Sequence, residues 1–303
     1  MQQRRIPNTD LDVSVVCLGT MTFGSPVDQE GVSYIVHWCL ENGINFIDTA
    51  DMYEGYTRSL GSPGGKSEAY IGEALKGRRE QAIVTTKVGN PIGDDSYEGA
   101  GLGRDHIRHQ MDASLRRLQT DYVDIYEMHR DDPDTPLKES VEAMVELIQE
   151  GKVRHWGYSN FDPGDIHNMI AICDAGGWPR PVIAQPPLSW LERGSEEAYI
   201  PACIEYDIAV TPYRTLQSGL LTGKYKRGEA VPEGSRAEES SWLSDPGDDG
   251  WDKIEQFESE AESASLSSVQ YAVKWILDRP GVTSVIVGCK RPDQLQPLVN
   301  IFA

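Results

Sequence analysis

Asp48-Thr49-Ala50-Asp51-Met52-Tyr53 follows the apolar run Phe46-Ile47, and Thr85-Thr86-Lys87 closes the run Ala82-Ile83-Val84. A third piece, Asp124-Ile125-Tyr126-Glu127-Met128-His129, ends a run of the same kind. Three polar groups, Asp48, Lys87 and His129, stand at the ends of short β-branched or apolar runs, and Tyr53 stands just beyond one. In a barrel of parallel strands, strand ends converge over the carboxyl-terminal mouth, where such enzymes do their chemistry. The three pieces therefore predict a carboxylate, a phenol, an ammonium and an imidazole gathered in one place.

The rest of the chain carries the pattern that such a barrel needs. Candidate strands fall at 15–19, 45–49, 82–87, 122–128, 152–157, 182–185, 208–213 and 283–287. Between them run helical periods. Val32, Ile35, Val36 and Cys39 repeat at i, i+3, i+4, i+7, as do Val141, Met144, Val145 and Ile148, and Ile107, Met111, Leu115 and Leu118 make another stripe. Thr135-Pro136 and Asp162-Pro163 each read as a cap residue followed by proline at the first helical position. Eight strands alternating with helices predict an α/β (β/α)8 barrel in one domain, residues 1–303. A hairpin of 4–6 and 13–15, turning through Asn8-Thr9-Asp10, is expected to close its bottom. Long loops should lie over the mouth. The glycine-rich segment 54–66 and the polar segment 214–250 are candidates, because long connections on a barrel tend to be functional.

Composition excludes several classes. At 303 residues with 25% charged residues, the chain reads as a soluble globular protein. No apolar stretch nears the length of a membrane span. The amino terminus opens polar and basic, which predicts no signal peptide and a cytoplasmic location. Five scattered cysteines (17, 39, 173, 203 and 289) without CxxC spacing predict buried, reduced thiols. The net charge of −20 argues against nucleic acid as a partner, which demands a basic footprint. The acids are spread along the chain, with eight in 245–262, where the simplest reading is a solvated helical face. Such a halophile-like surface resists aggregation where salt screens its self-repulsion.

The chain resembles the aldo-keto reductases, and the likeness runs from about residue 4 to 296. It is carried by Gly19-Thr20-Met21, Asp48 to Tyr53, Ser67-Glu68, Thr86-Lys87, Asp124 to His129 and Gly151-Lys152-Val153-Arg154. Ser159-Asn160, Gln185, Gly219-Leu220-Leu221-Thr222-Gly223 and Ile286-Val287-Gly288 continue it in the same order. The resemblance implies NAD(P)H-dependent reduction of an aldehyde or ketone to an alcohol, without metal or flavin. It assigns Asp48, Tyr53, Lys87 and His129 to catalysis, with Tyr53 as proton donor. It places the nicotinamide carboxamide on Ser159, Asn160 and Gln185, and its ring against Tyr213. Leu216, Gln217, Ser218, Gly219 and Leu220, with Lys224 nearby, match the loop over the pyrophosphate. Gly288, Lys290, Arg291 and Gln294 match the adenosine end, where the two cations favour NADPH over NADH. No GxGxxG follows the first strand, so a Rossmann site is not expected.

The chemistry of the four groups agrees with that resemblance. A free tyrosine has a pKa of about 10 and is a weak acid at neutral pH. A lysine cation about 4 Å away is worth roughly 4 kcal/mol at an effective dielectric of about 20, or about three pKa units. Lys87 is thus expected to bring Tyr53 toward working pH, with Asp48 holding Lys87 and His129 orienting the carbonyl oxygen. Candidate walls for the substrate are Met21, Phe23, Met52, Trp190 and the 54–66 loop. Some positions depart from the resemblance. Arg214 replaces a usual serine, Leu188 replaces a common tyrosine, the 54–66 loop is long, and the chain stops soon after Gln294. A second reading is a cofactor-binding regulatory subunit of the same fold with slow turnover, like the potassium-channel β subunits. A barrel hydrolase is a third, weakened by the lack of a metal-ligand cluster.

Overall fold

The structure, a computed structural model, describes the whole chain except residues 60, 94–97, 241, 242 and 244 and the side chain of Glu98. It opens with β1 (Gln3–Arg5) and β2 (Asp12–Ser14), and then alternates strand and helix. The order is β3 (Val16–Gly19), α1 (Gln29–Glu41), β4 (Phe46–Asp48), α2 (Lys66–Ala74), β5 (Ile83–Val88), β6 (Ile92–Gly93), β7 (Glu98–Gly99), α3 (Arg104–Leu118) and β8 (Val123–Met128). It continues α4 (Leu137–Gln149), β9 (Val153–Ser159), α5 (Pro163–Gly176), β10 (Ile183–Gln185), α6 (Tyr199–Glu205) and β11 (Ala209–Val210). Last come α7 (Arg236–Glu239), α8 (Gly247–Ser263), α9 (Ser268–Leu277), β12 (Val285–Gly288) and α10 (Gln296–Ile301).

Eight strands lie side by side, all parallel, in the order β12, β3, β4, β5, β8, β9, β10, β11. The two edges meet. Thr283 N donates to Val210 O (2.8 Å) and Ile286 N to Pro212 O (3.0 Å), so the sheet closes as a (β/α)8 barrel. All eight candidate strands are present, with bounds shifted by a residue or so, or shortened as in 208–213. The amino-terminal pair is antiparallel but sits one residue earlier than expected, with Arg4 opposite Val13. Ile6, Leu11 and Val13 of this segment pack with Cys17, Phe46, Ile125, Ile183 and Ala209.

Successive side chains on a strand point to opposite faces, and this alternation divides the core in two. Cys17, Phe46, Ile125, Ile183 and Ala209 form an apolar layer inside the barrel. Val16, Leu18, Ile47, Val84, Tyr126, Met128, Ala184 and Val210 face outward and join the helical stripes. The predicted stripes are the buried faces: Val32, Ile35, Val36 and Cys39 on α1, and Val141, Met144 and Val145 on α4. Asp28 caps α1 by accepting from Gly31 N at 2.9 Å. Pro163 opens α5 after Asp162, as expected. Thr135 is not the cap of α4. That helix starts at Leu137, and the Thr135 hydroxyl instead donates to Asp132 (2.7 Å).

The described residues of 54–66 form a short 3-10 turn at Gly55–Thr57 and contacts that pin the turn and the residue after it. Tyr56 N donates to Ser25 O (2.8 Å), and Arg58 donates to Pro91 O (2.7 Å). Gly55 has φ +83°, and a Cβ there would lie 2.0 Å from Ser25 O, so no other residue fits this approach. The acidic stretch 245–262 is mostly α8, whose Ile254, Phe257 and Ala261 are buried while most of its acids are exposed. All five cysteines are buried and unpaired. No described helix is long and apolar enough to cross a membrane.

Candidate active site

On the inward face, the apolar layer gives way to polar groups toward the carboxyl ends of the strands. Two residues beyond Phe46 comes Asp48, and Lys87 follows Thr85 and Ile83 on the same face of β5. Glu127 follows Ile125 on β8, and Gln185 follows Ile183 on β10. Lys87 Nζ donates to Asp48 Oδ1 at 2.5 Å and to Thr49 O at 2.8 Å. Both side chains are almost wholly buried. A buried ion pair is tolerable only when its other polar groups are also met, and here they are. Gln185 Nε2 donates to Asp48 Oδ1 (2.7 Å) and to Glu127 Oε1 (2.8 Å), and Thr85 Oγ1 donates to Glu127 Oε1 (2.7 Å). Two acceptors facing one amide fix which way round it lies.

Tyr53 stands above this group, with its ring centroid 5.1 Å from Lys87 Nζ. His129 meets the same ring edge-on at 5.8 Å. The four residues gathered by sequence reasoning are therefore together. Their electrostatics differ from the expectation. Burial pushes the Tyr53 hydroxyl up to about 12, opposed by the charge and hydrogen bonding of Lys87, while Asp48 and Glu127 add to the rise. Lys87 thus acts on Tyr53 in the predicted sense, but it offsets only part of the burial. The ring is only partly covered at the mouth, so water screens some of that penalty. Burial alone would pull Lys87 down. Asp48, Tyr53 and Glu127 outweigh it and hold the lysine charged above its ordinary range. Burial, with Lys87, Arg58 and Arg130, drives His129 well below its ordinary value, so its imidazole is neutral. Its Nδ1 has no partner among the described residues.

The end of β9 supplies the next cluster. Ser159 Oγ donates to Gln185 O (2.8 Å), and Asn160 Nδ2 donates to His129 O and Ser159 Oγ (2.9 Å each). Tyr213 OH donates to Asn160 Oδ1 (2.6 Å), which sets its ring beside the strand end. Gln185 lies with its nitrogen toward Asp48 and Glu127. Its nitrogen is committed inside the barrel, leaving only its oxygen for anything bound above.

Beyond Tyr213 the chain turns through Gln217, Ser218 and Gly219, all with positive φ (45°, 56° and 104°), and Leu216 and Leu220 flank them. A Cβ on Gly219 would press within 3.3 Å of Lys224. Lys290 follows β12 and is already engaged. Its Nζ donates to Gly234 O (2.8 Å) and pairs with Glu239 on α7. Gln294 accepts from the backbone N–H groups of Lys290 and Arg291, Arg291 pairs with Asp293, and Gly288 is exposed at the strand end. Of the expected substrate walls, Phe23 and Trp190 belong to the core instead. Phe23 has no exposure, and Trp190 packs on Phe257 and donates to Glu260. Met21 and Met52 are half-buried. Arg214 stands at φ +60° and pairs with Glu192 (3.5 Å), and Leu188 is fully buried.

Sequence reasoning missed Glu127. The available signal was its place two residues after Ile125, on the inward face of a strand where a charge is costly. Among the described residues no group of His, Cys, Asp and Glu is arranged to hold a metal ion.

The profile of the Aldo/keto reductase family matches residues 15–303. A protein of Arabidopsis thaliana described as a probable voltage-gated potassium channel subunit beta is 32% identical over 307 residues, covering 98% of this chain and 89% of that one. One of the same description from Oryza sativa subsp. japonica is 30% identical over 304 residues, covering 97% and 89%. Among solved structures, a glycerol dehydrogenase from Gluconobacter oxydans superposes with a TM-score of 0.83 at 31% identity, covering 99% of this chain and 90% of that one.

Proposed function

The chain belongs to the aldo/keto reductase family, and from that premise we propose that it reduces an aldehyde or ketone to an alcohol, as one domain over 1–303, with Tyr53 as proton donor. The observation that carries the reading is the buried Lys87–Asp48 pair at 2.5 Å directly beneath Tyr53. It sets a fixed cation against a phenol that burial would otherwise make inert. In the proposed reaction the Tyr53 hydroxyl gives its proton to the carbonyl oxygen as that oxygen gains charge. Lys87 stabilises the phenolate left behind, and Asp48 holds Lys87 in place. Neutral His129 donates to the same oxygen and orients it. A positioned acid of this kind typically contributes about 10²–10⁴-fold.

The residues present suit a nicotinamide dinucleotide, which when bound supplies the hydride. Ser159 and Asn160, locked to each other and to Tyr213, offer oxygen acceptors to the amino group of a carboxamide, and Gln185 offers its oxygen. Tyr213 offers its ring face. Leu216, Gln217, Ser218, Gly219 and Leu220 bend their backbone where a pyrophosphate would lie, with the cation of Lys224 near. Gly288, Gln294, Lys290 and Arg291 would take the adenosine end, the two cations meeting a 2′-phosphate. Glu239 must release Lys290 for that contact.

A second reading, a cofactor-binding regulatory subunit with slow turnover and a protein partner, is favoured by the channel-subunit relatives. Absorbance at 340 nm with NADPH and a panel of aldehydes and ketones separates the two. The reductase reading expects turnover on at least one carbonyl compound. NADPH binding without turnover on any of them would favour the regulatory reading. Changing Lys290 and Arg291 together to Ala should weaken NADPH far more than NADH, and equal losses would refute the 2′-phosphate contact.

A further inference from the structure

Glu127 is a carboxyl with no solvent exposure inside the barrel, and the reaction above leaves it unused. Its Oε1 accepts from Thr85 and Gln185, while its Oε2 has no donor among the described residues. The nitrogen of Gln185 has two hydrogens. One goes to Glu127, and the other goes to the same Asp48 oxygen that holds Lys87. Glu127 is therefore one amide removed from the ion pair that serves Tyr53. The charged and titratable groups facing it are Lys87 on β5, Asp48 on β4, Tyr53 beyond β4, Cys17 on β3 and Tyr199 on α6. Lys87 is the cation in that set. Two carboxyls and a phenol thus draw on one positive charge.

We propose that Glu127 is a positioning residue that sets the proton-donating strength of Tyr53, because its carboxyl, held against Asp48 through Gln185, competes with Tyr53 for the charge of Lys87. With Glu127 neutral, Lys87 serves Asp48 and the phenolate forming on Tyr53. With Glu127 ionised, a second buried negative charge opposes that phenolate, and Tyr53 becomes a weaker acid. Burial holds Glu127 up at about 8, with Lys87 opposing and Asp48 reinforcing. The neutral form therefore prevails at pH 7, and the change comes well below the ionisation of Tyr53 itself.

This inference rests on the proposed reductase reading for its consequence in rate, and its test has an arm that needs no turnover. Glu127→Gln keeps the shape and the oxygen that Thr85 and Gln185 donate to, and removes the charge. In protein labelled with ¹³Cζ-tyrosine, the Tyr53 signal is identified by its loss in Tyr53→Phe and followed from pH 6 to 9.5. It should shift with a midpoint near pH 8 in the native protein and stay level in Glu127→Gln. No inflection in the native protein, or the same inflection in the variant, would overturn the proposal. In the rate arm, carbonyl reduction at saturating NADPH should fall about three- to tenfold between pH 7 and 9.5 in the native protein. That step should vanish in Glu127→Gln. A rate profile unchanged by the substitution also overturns the proposal, since the carboxyl then has no hold on the proton donor. If no carbonyl compound is turned over, the reductase reading fails and the tyrosine signal alone decides.

Discussion

Lys87→Met removes the cation and keeps most of the side-chain volume. With Lys87 Nζ 5.1 Å from the Tyr53 ring centroid, the lost attraction for a phenolate is about 3 kcal/mol at an effective dielectric of about 20. That is roughly two pKa units in the wrong direction for a hydroxyl already pushed up to about 12. Reduction should fall by about 10²–10⁴-fold. The substitution also strands Asp48, whose partner at 2.5 Å is gone. Breaking a buried pair from one side costs about 3–5 kcal/mol. Gln185 still donates to Asp48, which should soften that cost. Two measurements keep the effects apart. Turnover is followed at 340 nm under saturating NADPH, and stability is followed by thermal melting. Adding Asp48→Asn should recover part of the stability, because neither charge is then buried alone, and should recover no activity. A loss of less than about tenfold in Lys87→Met would refute the claim that this cation serves the proton donor. So would activity returning in the double variant.

Tyr53→Phe should lower reduction by at least about 10²-fold while the NADPH dissociation constant, read by fluorescence, stays nearly unchanged. A loss of under tenfold would assign the proton to another group. Asp51 is fully buried with both oxygens unpartnered among the described residues, and burial together with Glu68 holds its carboxyl well above the usual range. Its folded value is raised, so the native protein loses stability as pH climbs above the unfolded value of about 3.9. Asp51→Asn should therefore melt progressively higher than the native protein from pH 4 to 8, and a difference independent of pH would refute this. At a net charge of −20, repulsion reaches roughly 30 Å at 0.01 M salt and only about 3 Å at 1 M. The melting point should rise by several degrees between 0.05 M and 2 M potassium chloride, and a flat or falling curve would remove the salt-adapted reading.

The chain's own pattern determined the barrel. Strand alternation and helical period are local properties, each readable within a dozen residues. The same pattern put Asp48, Lys87 and His129 at strand ends, so their meeting was legible before any coordinates. Boundaries were less so. Thr135 was read as a cap, but in the fold its hydroxyl is taken by Asp132. Phe23 and Trp190 were read as pocket walls, and the core claimed both. Of the electrostatics, the pull of Lys87 on Tyr53 was legible and the balance against burial was not. That balance depends on how deeply Tyr53 sits, on which side of Gln185 carries its nitrogen, and on Glu127 lying beside Lys87 inside the barrel rather than in solvent. Those are distances between side chains 34 to 137 positions apart in sequence. A sequence fixes which charges a site can hold, and only the tertiary packing decides how little water is left to screen them.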